Sequence, residues 1–454
     1  MEMIMGAAQG IATDSAGCII SWGRRSMIQL KQVIGAWLLA SVLLPTTAAH
    51  ADEYYVATTG SDSHPGTEKK PWRTVAHAVT TMVAGDTTYV KGGTYDEKAI
   101  RFGRSGTQSA PIKLLNYRSE HPIIRCINPA KDFMRVEHLS GLKNPVGWIT
   151  IEGFEITNCL TGLKYYNLHD STIRRNWIHH NPQGAGILGV GGTRILIERN
   201  VINSNGKVIK SNHGIYANGT DYIIVNNVIY DSWNWGIQLN SSCGNKACYN
   251  PVWHAGPEFA RSDNWVIANN TFAYNRNRSA IVSYGSEQNG TRIENNIFYE
   301  NCVTCSSSAA NAIEFYNSKP TGVTIRNNLS YASGSGGTAF ITAGLAVEDV
   351  NYTQSGNIVN VSNPGFVNAP ATLPSTPNFA LTERSPAIDK GLSPSDETRS
   401  ETRYTAFDDA LFAARVTDFA GTARPKGRGY DIGAYEYTAS GDAQSPAAPI
   451  LKVE

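Results

Sequence analysis

The chain has 454 residues, of which 17% are charged, and a formal net charge of +1. So even a balance provides no basic field for nucleic acid and no polybasic patch for a membrane surface, which leaves a neutral or weakly charged partner. Length alone would allow about two or three ordinary domains, but a repeat array of this size can also be one continuous body.

Lys31 opens an apolar run from Val33 to Leu44, followed by the small residues Ala49-His50-Ala51. Residues 1–51 therefore read as an export signal, with Met27 as an alternative true start and Asp52 as the first mature residue. The run is too short for a membrane span, so the expected location is secreted or periplasmic. Loss of Cys18 would leave Cys126, Cys159, Cys243, Cys248, Cys302 and Cys305, an even set that predicts up to three disulfides in an exported chain. Cys302-Val-Thr-Cys305 lacks a second CxxC or a nearby His pair, so it reads as a loop staple and no metal is expected.

Residues 52–110 read as an N-terminal cap with the first coils. Tyr54-Tyr55-Val56 starts a strand, and Gly60 to Gly66 is a turn cluster. From Trp72 to Ala84 the residues Trp72, Val75, Ala76, Val79 and Val83 recur at helical spacing, with Thr74 near the start and Gly85 past the end. A short amphipathic helix here would cover the end of a solenoid, where core and strand edges are otherwise exposed.

Residues 111–356 repeat one phrase. Its copies include Ile173-Arg174-Arg175-Asn176, Ile197-Glu198-Arg199-Asn200, Val225-Asn226-Asn227, Ile267-Ala268-Asn269-Asn270, Ile293-Glu294-Asn295-Asn296 and Ile325-Arg326-Asn327-Asn328. A recurring unit that cannot bury its apolar face alone must stack on its neighbours. Between the copies β-branched residues alternate with polar ones and no helical stretch intervenes, so each copy is a coil of short strands. The fold class is all-β, a parallel β-helix with a short N-terminal capping helix and an irregular C-terminal cap. Asn176, Asn200, Asn227, Asn270, Asn296 and Asn328 would share one position and stack as an amide ladder, a structural role. Residues 357–437, with Gly429-Tyr-Asp-Ile-Gly-Ala-Tyr-Glu-Tyr437, read as a folded-back closing segment, and 438–454 as a disordered tail.

A second strand follows each marked one, as in Gly214-Ile-Tyr-Ala-Asn218 and Gly236-Ile-Gln-Leu-Asn240. If the Ile points inward, strand alternation sends the next residue outward. The outward set is Lys164, Tyr166, Tyr216, Asn218, Gln238, Asn240, Val282, Tyr284, Glu314 and Tyr316. Tyrosine faces and paired amides suit the alternating faces and hydroxyls of a sugar chain, so a polysaccharide or oligosaccharide is the expected partner of a monomer. The longest interruption, Ser241 to Asp263, leaves from the end of this ribbon and carries Trp253 and His254, which would wall the groove. At the other edge Lys210, His213 and Tyr216 lie close in sequence, and Arg278 enters two coils on. Gly184-Ala-Gly186-Ile-Leu-Gly189 matches a dinucleotide fingerprint, but no βαβ unit surrounds it.

The opening Tyr54-Tyr55-Val56, Gly60-Ser61-Asp62, Gly85-Asp86-Thr87 and Gly93-Thr94-Tyr95, the coils, and the Gly429 to Tyr437 tail resemble the exported parallel β-helix proteins of the pectate-lyase-like superfamily. The resemblance implies a right-handed β-helix and a carbohydrate-active role, with a polysaccharide lyase or related uronan epimerase expected first and a glycoside hydrolase or a non-catalytic glycan-binding adhesin as the alternatives. The Asp-rich calcium cluster of the lysine-dependent pectate lyases and the Asp-Pro-His-Asp run of mannuronan epimerases are both missing, so no cofactor is expected. β-Elimination needs a group on the uronate carboxylate, a base for the α-proton and an acid for the leaving oxygen. Arg278 or Lys164, His213 or Lys210, and Tyr216 are the residues expected in those roles. A hydrolase would instead need two carboxyls, with Glu314 and Glu258 or Asp231 as the available pairs.

Overall fold

The computed structural model describes residues 51–439, apart from 131–132, 208–211, 242–251, 253, 286–287, 317–319, 335, 344–349, 360–362 and 395–404. The proposed export signal up to His50, Lys210, Trp253, Cys243, Cys248 and most of the proposed tail thus lie outside the described residues.

Each coil contributes strands to parallel stacks on separate faces, and the two stacks called the first and second sheets are continuous through the long strands Thr161–Arg174 and Ile187–Glu198. The first sheet runs through Ile215–Ala217, Ile237–Ser241, Ile281–Gly285 and Ala310–Tyr316. The second includes Thr220–Val225, Val266–Ala268 and Arg292–Glu294, and the third Val228–Tyr230, Thr271–Ala273 and Ile297–Tyr299. Pairing within a sheet is in register, so like residues stack on like. Ile187, Ile215, Ile237, Ile281 and Ile313 form one such column, at most 1% exposed. Column stacking of β-branched side chains fills the cylinder and makes the repeat its own template.

The turn between second and third sheets explains the repeated Asn. Arg175, Arg199, Asn226, Asn269, Asn295 and Asn327 have φ between 49° and 56°, a left-handed conformation that reverses the chain and that Asn tolerates well. The residue after each is a ladder Asn: Asn176 Nδ2 donates to Asn200 Oδ1 at 3.1 Å, and Asn200, Asn227, Asn270, Asn296 and Asn328 each pass the bond on at 3.0 Å, ending on Asn357. Burial without loss is possible because every amide finds both a carbonyl and the next amide. A second ladder stands at the turn from third to first sheet, where Asn181 donates to Asn205 at 2.9 Å and Asn275 to Asn301 at 2.6 Å. The sequence pattern had pointed only to the first.

The N-terminal helix is α1, Val75–Thr81, with the Thr74 hydroxyl accepting from the His77 N–H. It is shorter at both ends than the apolar spacing suggested. Trp72 instead seats its indole N–H on the His64 carbonyl, and Val83 is 49% exposed. Disulfides join Cys126 to Cys159 and Cys302 to Cys305.

The closing segment differs from expectation in form. It contains a helix, α2, Thr405–Arg415, whose Leu411 and Ala414 pack on Ile223, Val225, Val266 and Ala268 of the second sheet. The rest runs back along the flank, where Phe379, Leu381, Ile432 and Ala434 meet Trp177, Val201, Val228 and Ile297 of the third sheet. The described residues of the tail thus pack on the second and third sheets, and the first sheet's outer face holds the candidate site. Among the described residues no helix is long and apolar enough to cross a membrane.

Candidate active site on the first sheet

Strand pairing places Tyr216 beside Gln238, Gln238 beside Val282 and Val282 beside Glu314, while Asn240, Tyr284 and Tyr316 form the adjacent outward row. A cleft of about 380 Å³ opens over these rows, lined by His213, Tyr216, Asn234, Trp235, Gln238, Arg278, Tyr284 and Tyr316. Tyr284 and Tyr316 stack with ring centroids 5.2 Å apart and an interplanar angle of 8°. In-register pairing on a twisted sheet gives this parallel geometry directly, and it leaves one broad aromatic surface along the cleft.

The opposite side is polar. Trp235 donates its indole N–H to Glu314 Oε2 at 2.8 Å, the Arg278 guanidinium lies 5.1 Å from the Trp235 ring centroid, and Arg278 Nη1 is 3.6 Å from Glu314 Oε1. Arg278 is half exposed, so its outer face remains presented to the cleft. Beneath it His213 is 1% exposed, with the Tyr216 and Trp235 rings each 5.2 Å away. Neither imidazole nitrogen closes a well-aligned hydrogen bond to the protein. Burial pushes the His213 imidazolium down to about 3, with the nearby Gln238 side chain opposing weakly, so the ring is neutral across the physiological range. Burial also raises the Tyr216 phenol, helped by the proximity of Tyr284, so its proton is retained at neutral pH. The cleft therefore contains an uncharged imidazole, a protonated phenol and a cation.

The His213 burial has a measurable consequence. An imidazole whose folded pKa is depressed contributes stability that is present above about 6.5, the unfolded value, and is lost as pH falls toward 3. The expected slope is up to roughly 1.4 kcal/mol per pH unit in that window. Urea midpoints measured between neutral and acid pH should show a shallower decline for His213→Asn than for the parent chain; equal slopes would mean that His213 is not the group responsible.

A right-handed β-helix model matches residues 54–348, described as "Pel9A-like, right handed beta helix region". The chain belongs to the Pel9A-like right-handed β-helix family. Two curated relatives align over short stretches: the uncharacterized protein YwoF of Bacillus subtilis (strain 168), 39% identical over 100 residues covering 21% of each chain, and pectate lyase PEL9 of Emericella nidulans, 38% identical over 89 residues covering 19% of this chain and 21% of that one. The alignments thus span about a fifth of the length of each relative. Among solved structures, pectate lyase Pel9A superposes with a TM-score of 0.49 at 17% identity, covering 86% of this chain and 97% of that one. PfbA, a surface adhesin of Streptococcus pneumoniae, superposes with 0.43 at 13%, covering 63% and 74%.

For this family member the structure sorts the residues picked out from sequence. His213, Tyr216, Gln238, Arg278, Tyr284 and Tyr316 share the cleft, and Glu314 joins them through Arg278 and Trp235. Asn240 sits at its edge, accepting from Gln238 Nε2 at 3.3 Å. Asn218 and His254 are elsewhere. Asn218 is 6% exposed, its Oδ1 accepting from the Gly191 N–H at 2.7 Å and its Nδ2 lying 3.2 Å from His254 Nε2. The strand parity is correct for Asn218, but the inserted loop folds onto it, so this pair anchors the loop and does not face the groove. Lys164 and Tyr166 lie two coils away and form a group with Arg135. Val282 keeps its outward register yet is fully buried.

Trp235 and Asn234 were missed as site residues. Trp235 is the coil equivalent of His213, since the Gly214 N–H donates to the Trp235 carbonyl just as the Gly186 N–H donates to that of His213. Copy-to-copy comparison of the residue before the conserved-position glycine would have found it. The carboxyls considered for hydrolysis do not converge on the cleft lining: Asp231 is clamped by Arg276 at 2.6 Å and bonded by Ser204, while Glu258 is exposed on the loop. Among the described residues no three carboxylate, imidazole or thiol groups converge as a metal site, and the sole carboxylate bordering the cleft, Glu314, is already engaged, so this donor set does not fit a hard divalent cation.

Proposed function

We propose that the cleft binds a uronate-containing polysaccharide and cleaves it by β-elimination. The supporting observation is the buried His213 imidazole, with neither nitrogen well hydrogen-bonded, set behind Tyr216 and beside Arg278. A buried imidazole that lacks a well-aligned hydrogen bond is costly, and a bound sugar hydroxyl would provide one.

In this reading the Arg278 guanidinium holds the uronate carboxylate and disperses the charge that grows there when the α-proton leaves. His213 takes that proton from C5. The electron pair forms the C4=C5 double bond, the C4–O bond breaks, and Tyr216 gives its proton to the departing oxygen. Atoms balance without water or an oxidant. A weakly basic imidazole suits the task only while negative charge accumulates beside it, because that charge raises its proton affinity in a low-dielectric site. The Tyr284–Tyr316 surface carries the flanking sugar by stacking. Pectate is the first substrate to examine, given the named lyase among the relatives, and the disulfides fit action in an oxidising compartment.

The test is to incubate the protein with polygalacturonate, alginate and a neutral glucan while following both ultraviolet absorbance of unsaturated uronate and reducing ends. Elimination predicts that both grow together on an acidic polymer. Reducing ends without absorbance would replace this reading with hydrolysis, and binding without either would replace it with a glycan-binding shaft.

A further inference from the structure

The outward row that contains Tyr216 does not end at the cleft. Toward the N-terminal coils, strand pairing puts Leu188 beside Tyr216, Lys164 beside Leu188, Arg135 beside Lys164 and Arg101 beside Arg135. Successive coils therefore repeat a cation at one position. With a spacing of about 4.8 Å per coil, the row of cations begins roughly 10 Å from Tyr216.

Like charges stacked in register on one sheet face repel and destabilise it. Glu137 offsets part of this, accepting from Arg135 Nη1 at 3.0 and 2.9 Å and lying 3.5 Å from Arg101 Nε. Among the described residues the single carboxylate Glu137 stands against the three cations Arg101, Lys164 and Arg135, which leaves the group positive. Tyr166 stands among them as an aromatic surface, with Lys164 Nζ 5.0 Å and the Arg135 guanidinium 5.7 Å from its ring centroid. Arg101 is 54% exposed and Tyr166 and Lys164 are partly exposed, so a ligand in solution can reach all of them. In the other direction the row passes through Gln238 and Val282 to Glu314, whose charge Arg278 offsets, so the excess of cations lies toward the N-terminal coils.

We infer that Arg101, Lys164 and Tyr166 form a second anionic-sugar subsite, separate from the cleft, which holds a further uronate of the same polysaccharide chain. Arg135, fixed by Glu137, supports Tyr166 and adds to the positive field. The sugar stacks on Tyr166 while its carboxylate lies between Lys164 and Arg101. This inference takes the substrate class from the β-elimination reading, but its binding claim stands independently of any cleavage.

Calorimetry on the full chain carrying Tyr216→Phe, which keeps the polymer intact, tests it with polygalacturonate and with trigalacturonate as probes. The further pair Arg101→Ala and Lys164→Ala is expected to weaken polygalacturonate binding roughly tenfold at low salt and to flatten its salt dependence. Trigalacturonate, too short to fill both places, should lose far less. Lys164→Glu alone should weaken the polymer further than Lys164→Ala, and circular dichroism checks that each variant is folded. Unchanged affinity and salt slope in the double variant, or no polygalacturonate binding by the parent, would overturn the subsite. Elimination by the parent chain with unchanged binding in the variants sinks the subsite alone. Subsite-dependent binding without elimination sinks only the proposed reaction.

Discussion

Tyr216→Phe is expected to lower the elimination rate by roughly 10² to 10⁴, the usual contribution of a positioned proton donor, while leaving affinity for the polymer within about threefold. The substitution removes one oxygen from a residue whose ring packs against His213, so the aromatic surface survives and only the proton is lost. Because burial holds the phenol above its ordinary range, the parent rate should not fall on the alkaline side until well past neutrality. Arg278→Ala should act differently, raising KM and lowering kcat together, since the same guanidinium would bind the ground-state carboxylate and stabilise the charge that develops on it. Initial rates of absorbance growth across substrate concentration separate the two patterns. A Tyr216→Phe enzyme that keeps the parent kcat would remove the phenol from the mechanism, and an Arg278→Ala enzyme altered only in stability would remove the cation.

Much of the architecture was legible because a solenoid writes its period into the sequence. Columns such as Ile215, Ile237 and Ile281 obey strict strand alternation, and the ladder Asn residues recur where the chain must turn. The site was legible only in part, for a physical reason: outward side chains obey the same alternation whether they face solvent or lie under a loop. Asn218 has the parity of a groove residue and becomes an anchor because the inserted loop descends on it. Lys164 has the same parity as Tyr216, yet coil spacing removes it from the cleft.

One signal in the repeat was read too coarsely. The earlier copies carry Arg175 and Arg199 before the ladder Asn, while the later ones carry Asn226, Asn269, Asn295 and Asn327. The inner Asn of each doublet builds the ladder; the outer Asn of the later copies binds the closing segment. Asn226 Nδ2 donates to the Ala414 carbonyl at 2.7 Å, Asn269 Nδ2 to Asp431 at 3.2 Å, Asn295 Nδ2 to Leu392 at 2.9 Å and Asn327 Nδ2 to Lys390 at 2.8 Å. The tail's hydrogen bonds to this column therefore begin at Arg199, whose guanidinium donates to Thr417 Oγ1, and continue through the Asn-Asn copies. Helix α2 was also visible in principle, since Ala410, Leu411 and Ala414 follow helical spacing onto one face.

That docking leads to the largest expected change in stability, at Arg424. Its side chain is fully buried, donating to Glu436 Oε2 at 2.9 Å and to the Asp431 and Gly433 carbonyls at 3.0 and 2.8 Å, with Asn226 Oδ1 3.4 Å away. Arg424→Ala removes all these donors and leaves Glu436 buried without its cation, a loss of roughly 3 to 5 kcal/mol. The penalty should depend on pH in a definite direction. Burial already pushes the Glu436 carboxyl up to about 7 against the opposing pull of Arg424, and removing that pull raises it further. A carboxyl with a raised folded pKa contributes stability that is present below its unfolded value near 4.5 and lost as pH rises through the folded one. The Arg424→Ala deficit is therefore expected to be larger at pH 8 than at pH 5, and Glu436→Gln added to it should restore part of the loss at pH 8. Urea unfolding at both pH values measures this. A deficit independent of pH would mean that the lost carbonyl contacts, and not the stranded carboxylate, carry the cost. Because the tail lies on the flank and the cleft on the first sheet, the variant should still turn over substrate at temperatures below its unfolding transition. Loss of activity in a folded Arg424→Ala protein would show that the closing segment also shapes the cleft.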